Sequence, residues 1–242
     1  MKATLERERK LTAPPGFALP ALPGDPLPVR ELSSTYHDTN DLRLAAGGIT
    51  LRYRTERGHG AWQLKLPHGE DRLELEFEGT ARAAPAEVLD LLTAHLRGKR
   101  PAPVARLRTR RAGVLVRSGD RRVAEVVKDA VSVFQGRRVA RRFEEIEVEL
   151  VDGTSADLTT IVGRLRQAGA AGTDLRPKLF QALDLPAPVA AARPRRSRAC
   201  VRAAPGSLRA TASAGSPRSS ATRCRCSRDA GSCAASRRSR SS

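Results

Sequence analysis

The chain has 242 residues, enough for one or two domains, and a net charge of +18 that is unevenly spread: thirteen Arg but a single acid, Asp229, follow Pro186, which leaves 31 basic and 25 acidic residues in the body. That mixed composition suits an anionic ligand without demanding nucleic acid. All four cysteines (Cys200, Cys224, Cys226 and Cys233) lie after Pro186, so the body needs neither disulfides nor a thiolate metal site, and no apolar run approaches the roughly 18 residues of a membrane span.

The N-terminus reads at once as a strand over Thr4–Leu11, with Glu6, Glu8 and Lys10 on one face. It carries too many charges for a signal peptide, so the expected location is cytoplasmic. Further strands are expected over Arg30–Asp38, Ile49–Thr55 (Arg52 and Arg54 on one face), Ala61–Leu66 (Lys65 opposing Leu64 and Leu66) and Arg72–Glu78 (Arg72, Glu74, Glu76 and Glu78 opposing Leu73, Leu75 and Phe77). A helix over Pro85–Leu96 opens with Pro in its first turn and stops near Gly98. Then come strands over Val104–Val116, with Arg106, Arg108 and Arg110 on one side, over Arg122–Phe134, and over Arg142–Leu150, with Glu145, Glu147 and Glu149 opposing Ile146, Val148 and Leu150. Helices are expected at Asp157–Ala168 and, closing the domain, near Pro177–Leu183.

A half-solvated antiparallel sheet has a polar face in any case. Here, however, that face is almost wholly ionic, and the signs segregate by strand. If the sheet closes with its charges inward, opposed carboxylates and cations share a lumen, a costly arrangement unless ions occupy it. A polyphosphate with a divalent cation satisfies both sets, the carboxylates holding Mg²⁺ or Mn²⁺ and the Arg and Lys neutralising phosphate oxygens.

The order of these blocks resembles one known family. Glu6-Arg7-Glu8-Arg9-Lys10 resembles the N-terminal Glu-x-Glu-x-Lys signature of CYTH domains, the triphosphate tunnel metalloenzymes. Tyr36-His37-Asp38-Thr39, Leu51-Arg52-Tyr53-Arg54, Trp62-Gln63-Leu64-Lys65, Arg72-Leu73-Glu74-Leu75-Glu76, Glu145-Ile146-Glu147-Val148-Glu149 and Pro177-Lys178-Leu179 resemble its later blocks, in order, over residues 4 to about 185. His37 replaces a second Tyr, and Pro177 the Ser before the Lys. His37 reads as a strand-surface residue rather than a metal ligand, since His serves metals in clusters.

The resemblance implies a mainly β fold, an eight-stranded antiparallel β-barrel forming a tunnel and flanked by a few helices, in residues 1–186. It implies that Glu6, Glu8, Glu145 and Glu147 help hold the divalent metal, Mg²⁺ or Mn²⁺. Lys10, Arg52, Arg54, Lys65, Arg110 and Lys178 would grip the triphosphate, with Arg108 or Arg111 as alternatives to Arg110. Glu74 and Glu76 would complete the acidic lining and help position the attacking water. Glu125 and Asp129 sit where the family often has acids, but Val123 and Val127 share their face.

The implied activity is metal-dependent hydrolysis of triphosphate, foremost the inorganic form, on a triphosphate or polyphosphate substrate. No membrane and no specific nucleic acid are expected. Adenylate cyclase, thiamine or nucleoside triphosphatase, and a non-catalytic polyphosphate-binding module are the alternatives. Residues 187–242 have the composition of a disordered Arg/Ser/Ala-rich tail. Two readings fit it: a functional polyanion-binding segment, or an out-of-frame remnant of the helical CHAD domain that follows many bacterial CYTH domains.

Overall fold

Alternation of charged and apolar residues gives each strand two unlike faces, and the sheet sorts them. The computed structural model describes residues 1–172 and 176–187; the tail expectations fall outside the described residues. The strands are β1 (Lys2–Glu6), β2 (Glu8–Thr12), β3 (Gly24–Asp38), β4 (Thr50–Glu56), β5 (His59–His68), β6 (Asp71–Phe77), β7 (Ala102–Ser118), β8 (Arg121–Gln135) and β9 (Arg138–Leu150). The helices are α1 (Arg43–Ala46), α2 (Ala86–Leu91), α3 (Thr93–Leu96), α4 (Ser155–Gln167) and α5 (Lys178–Ala182). The single helix expected over Pro85–Leu96 is thus two short ones, and α1 is an addition.

The strands form one antiparallel sheet in the order β1-β6-β5-β4-β3-β7-β8-β9-β2. The first expected strand is two. β1 pairs with β6 up to Glu6↔Arg72, and β2 pairs with β9 from Glu8↔Glu149. The two edges of the sheet are therefore one residue apart in the chain. They are joined through Arg7, whose carbonyl accepts the Leu150 N–H at 3.0 Å. The expected mainly β, antiparallel fold is present: counted as one broken strand, β1 and β2 make the eighth strand of the expected set, and the sheet returns on itself through Arg7 rather than through a fully closed hydrogen-bond ladder. The cause is stagger: β6 begins only at Asp71 and β9 ends at Leu150, so each neighbour covers only half of the N-terminal segment.

Apolar rows face outward under helices. Leu158, Ile161 and Leu165 of α4 pack on Leu11, Val126, Ile146 and Val148. Thr154 caps α4 through a reciprocal pair of bonds with Asp157. Val88, Leu92, Leu96 and Leu44 cover Leu51, Trp62, Leu64 and Leu75. His37 belongs to this outer layer, buried with its ring edge-on to Trp62 at 4.7 Å; burial lowers its pKa. α5 instead packs Leu179 and Phe180 against Tyr36, Leu107, Val131 and Val133. That contact brings its first residue, Lys178, into the ionic interior.

Candidate active site

Inward residues of β1, β2, β3, β4, β5, β6, β7 and β9, with Lys178 of α5, line a polar cavity of about 80 Å³. Glu6, Glu8, Lys10, Arg52, Arg54, Lys65, Glu147 and Lys178 all line it. Strand register explains the meeting of distant residues: Lys10 lies opposite Glu147, and Lys65 opposite Glu74.

On one side Asp129, Glu145 and Glu147 bring carboxylate oxygens within 4.8 Å of one another. Those oxygens are already engaged by cations. The Lys178 ammonium lies 2.9 Å from Asp129 Oδ2 and 2.8 Å from Glu147 Oε1, and it also bonds Glu145. Lys10 donates to Glu147 at 2.5 Å and to Glu145 at 3.3 Å. Arg111 grips Asp129 through two bonds of 2.8 and 2.6 Å and reaches Glu147 as well. Gln181 Nε2 donates to Glu145 Oε2 at 2.5 Å. Burial alone would raise the pKa of Glu147, but Lys10, Lys178 and Arg111 together hold it well below the usual carboxylate range. Burial likewise works against the charge on Lys178, and Glu145 and Glu147 restore it. This cluster is internally neutralised.

The other side is not. Lys65 spans Glu6 at 2.5 Å and Glu74 at 3.1 Å, and no further cation is bonded to Glu8 or Glu149 among the described residues. Burial, then repulsion from Glu6 with further pressure from Glu8 and Glu147, pushes Glu149 up to about 7 against the pull of Lys65. Glu6 is raised by burial, with Lys65 opposing and Glu74 and Glu8 adding to the rise. Carboxylates are in excess here, and all the acidic donors are oxygens, which fits a hard divalent cation.

Two cations lack full partners. Arg54 makes no hydrogen bond or ion pair among the described residues. Burial and the cations of Arg52, Arg111 and Arg30 lower it to about 10. Arg72 donates from Nη2 to the Gly48 carbonyl at 2.9 Å, but its buried Nε has no partner. Arg52 is better held, donating to Gln63 at 2.8 Å and to the Tyr36 hydroxyl at 3.2 Å. Through Gln63, which donates to Glu76 at 3.0 Å, that chain reaches Glu76, one step away from the cavity.

One expected residue is placed elsewhere. Arg110 points outward, 61% exposed beside Glu31 at 3.7 Å, and Arg108 stacks over Phe134 on the same outer face. Ala105, Leu107 and Thr109 are the buried positions in the half of β7 that precedes Arg110, so the row that continues inward is the one containing Arg111. Of the three arginines weighed for this strand, Arg111 lines the cavity, and Arg110 and Arg108 do not. Asp129, Arg72 and Glu149 also stand at the site although none was assigned to it. Arg72 and Glu149 continue the period-two rows of Glu74/Glu76 and Glu145/Glu147, which was signal enough. Asp129 is flanked on its face by Val127 and Val131, which hid it. Glu125 does not line the cavity.

The family model of the CYTH domain matches residues 5–173. The chain therefore belongs to the CYTH domain family. Among its relatives are two uncharacterized proteins of Mycobacterium tuberculosis, MT2285 of strain CDC 1551 and Rv2226 of strain H37Rv. Each is 31% identical over 210 residues, a match covering 76% of this chain and 41% of the relative. The chain thus spans about two fifths of the length of the curated relatives it matches. Among solved structures, a candidate adenylate cyclase of Bacillus halodurans shares the fold with a TM-score of 0.55 at 16% identity, over 75% of this chain and 98% of that one. A candidate adenylyl cyclase of Hippeastrum, described as having a dominant triphosphatase activity, aligns at a TM-score of 0.46 and 15% identity, over 74% and 95%. No helix among the described residues is long and apolar enough to cross a membrane.

Proposed function

We propose that residues 1–186 form a divalent-metal-dependent triphosphatase acting on inorganic triphosphate, at work in the cytoplasm. The observation that carries this reading is the juxtaposition of unpartnered cations, Arg54 and the Arg72 Nε, with carboxylates that no cation bonds among the described residues, Glu8 and Glu149, in one cavity. A polyanion and a divalent cation bound together complement both. Arg52, Arg54, Lys65 and Arg72 would bind phosphate oxygens, where fixed cations are strongest in a water-poor site. Lys10, Arg111 and Lys178 would hold the far end while keeping Asp129 and Glu147 ionised. Glu6, Glu8, Glu147 and Glu149 would hold Mg²⁺ or Mn²⁺, and Glu145 would serve chiefly through Lys178 and Gln181. The bound cation supplies charge neutralisation and lowers the pKa of water. Glu74, freed when Lys65 turns to phosphate, would accept a hydrogen bond from the attacking water and orient it. Glu76 would fix Arg52 through Gln63.

A cyclase or nucleoside triphosphatase needs a surface for the base. Tyr53 and Trp62 lie on the outer face, packed on each other at 5.4 Å, and Tyr36 is tied to Arg52. Among the described residues the cavity thus offers no free ring for stacking, which favours the inorganic substrate. Phosphate release from triphosphate, pyrophosphate, ATP and thiamine triphosphate, with Mg²⁺ or Mn²⁺ and with EDTA, tests the reading. Triphosphate should be the preferred substrate and EDTA should abolish turnover. Metal-independent turnover, or a cyclic nucleotide product from ATP, would overturn it.

A further inference from the structure

Arg54 lines two spaces, the ionic cavity and a second, wider one of about 410 Å³ at the β4–β5 end. Arg30, Glu56, Arg57, His59, Gln63 and Glu76 line this vestibule with it. Glu56 is consumed by Arg30 in two bonds of 2.7 and 2.6 Å, and Glu76 by Gln63. Arg54, Arg57 and His59 have no hydrogen-bond or ion-pair partner among the described residues. Among the described residues, no Phe, Tyr or Trp lines the space. The vestibule therefore offers free nitrogen donors and no Phe, Tyr or Trp platform for a nucleobase.

A second, independent observation comes from the turn. Glu56 pairs with His59, so Arg57 and Gly58 form a two-residue hairpin, with φ of 49° and 83°. Positive φ at both central positions defines the type I′ turn, where Asn or Gly is favoured. An Arg there is sterically disfavoured, because its Cβ crowds the backbone in the left-handed region. A cation thus occupies a position that backbone energetics would give to another residue, and it stands over the vestibule.

We propose that this vestibule is a distal phosphate subsite, in which Arg57 and His59 hold the continuation of a linear phosphate chain whose terminal three units enter the tunnel. The proposal rests on the triphosphate reading of the tunnel and extends the substrate class to longer inorganic chains. Arg54, at the junction, bridges the two segments.

The test is calorimetric binding of tripolyphosphate, of a linear polyphosphate several units longer, and of ATP. It uses the full chain with Ca²⁺, an oxygen-binding cation that occupies the carboxylate side in place of Mg²⁺ or Mn²⁺, as the parent, Arg57→Asn and His59→Ala. The tail arginines bind any polyanion and are common to all three proteins, so the Arg57- and His59-dependent part of the affinity is what is read. The longer chain should bind about tenfold more weakly to each variant than to the parent, the loss of one charge-assisted contact. Tripolyphosphate should bind all three alike. Arg57→Asn should also melt higher than the parent, so that weaker binding is separated from a damaged fold. Unchanged affinity for the longer chain in both variants overturns the subsite, as does an equal loss for tripolyphosphate, or ATP binding that depends on Arg57 as strongly. If tripolyphosphate fails to bind the parent while the longer chain binds through Arg57, the tunnel reading falls and the subsite stands. If neither binds, both fall.

Discussion

Glu149→Gln should make the metal-free protein more stable, and only above a definable pH. The carboxyl of Glu149 is raised from 4.5 to about 7 by burial first, then by Glu6, Glu8 and Glu147 against Lys65. Below pH 4.5 the group is protonated in the folded and unfolded chains alike, and the stability it contributes is fully present. As pH climbs through about 7 the unfolded chain has already ionised, while the folded chain must ionise a carboxyl that its surroundings resist, so that contribution is lost. At 1.36 kcal/mol per pKa unit, the rise from 4.5 to about 7 is worth about 3 kcal/mol. Gln keeps the shape of the protonated acid and never ionises. Urea unfolding in EDTA should therefore find Glu149→Gln more stable than the parent by up to about 3 kcal/mol at pH 8, and close to it near pH 4.5.

Adding Mg²⁺ or Mn²⁺ should reverse the order, because a cation that binds the folded state stabilises it by mass action and the parent has the better site. A variant that is less stable than the parent at pH 8 in EDTA, or offset equally at both pH values, would refute the claim of uncompensated negative charge on this side of the cavity.

Two further substitutions separate inward from outward arginines. Arg111→Ala strands the buried carboxylates of Asp129 and Glu147 and should cost about 3–5 kcal/mol in urea unfolding, whereas Arg110→Ala, on the exposed face, should stay within about 0.5 kcal/mol; comparable losses would mean the strand is inverted. Arg54→Ala should weaken calorimetric triphosphate binding by about tenfold or more while leaving the melting temperature equal or higher, since it relieves repulsion from Arg52, Arg111 and Arg30; undiminished binding would remove Arg54 from the site.

Much of this architecture was legible because charge and apolarity alternate strand by strand. Leu73, Leu75 and Phe77 against Arg72, Glu74 and Glu76 can satisfy only one orientation once a helix covers the leucines. β7 was different: Arg106, Arg108, Arg110 and Arg111 occupy both phases, so charge alone could not choose a face, and the choice falls to Leu107 and Thr109, which are buried. The break at Arg7 was invisible for another reason. It depends on where β6 and β9 end, not on any residue of the N-terminal segment. α1 escaped notice because four residues show no periodicity. The Asp38 carboxylate organises the segment, accepting the N–H groups of Thr39 at 2.7 Å and of Leu44 and Ala45 at 2.9 Å. Asp38 lies in a block that marks the family, yet its bonds are to backbone N–H groups and the neighbouring Thr39 hydroxyl, and its role here is to anchor a loop.

Why the tunnel carries both signs follows from the two clusters. A lining of cations alone would suit a triphosphate but would repel itself when empty, as Arg54 already shows at a single position. Pairing each cation with a carboxylate lets the empty interior fold: Lys10, Arg111 and Lys178 neutralise Asp129, Glu145 and Glu147, and Lys65 bridges Glu6 and Glu74. These pairs draw the walls together around a cavity of only about 80 Å³. A polyanion entering alone would break such pairs and strand carboxylates, which is costly in a desolvated site. A polyanion entering with a divalent cation supplies a new partner of the right sign for each group it displaces. The excess of carboxylate around Glu149, and of cation around Arg54, places the two halves of that exchange at different points of one lumen. Binding of either component should therefore favour binding of the other, a reciprocity that equilibrium linkage requires.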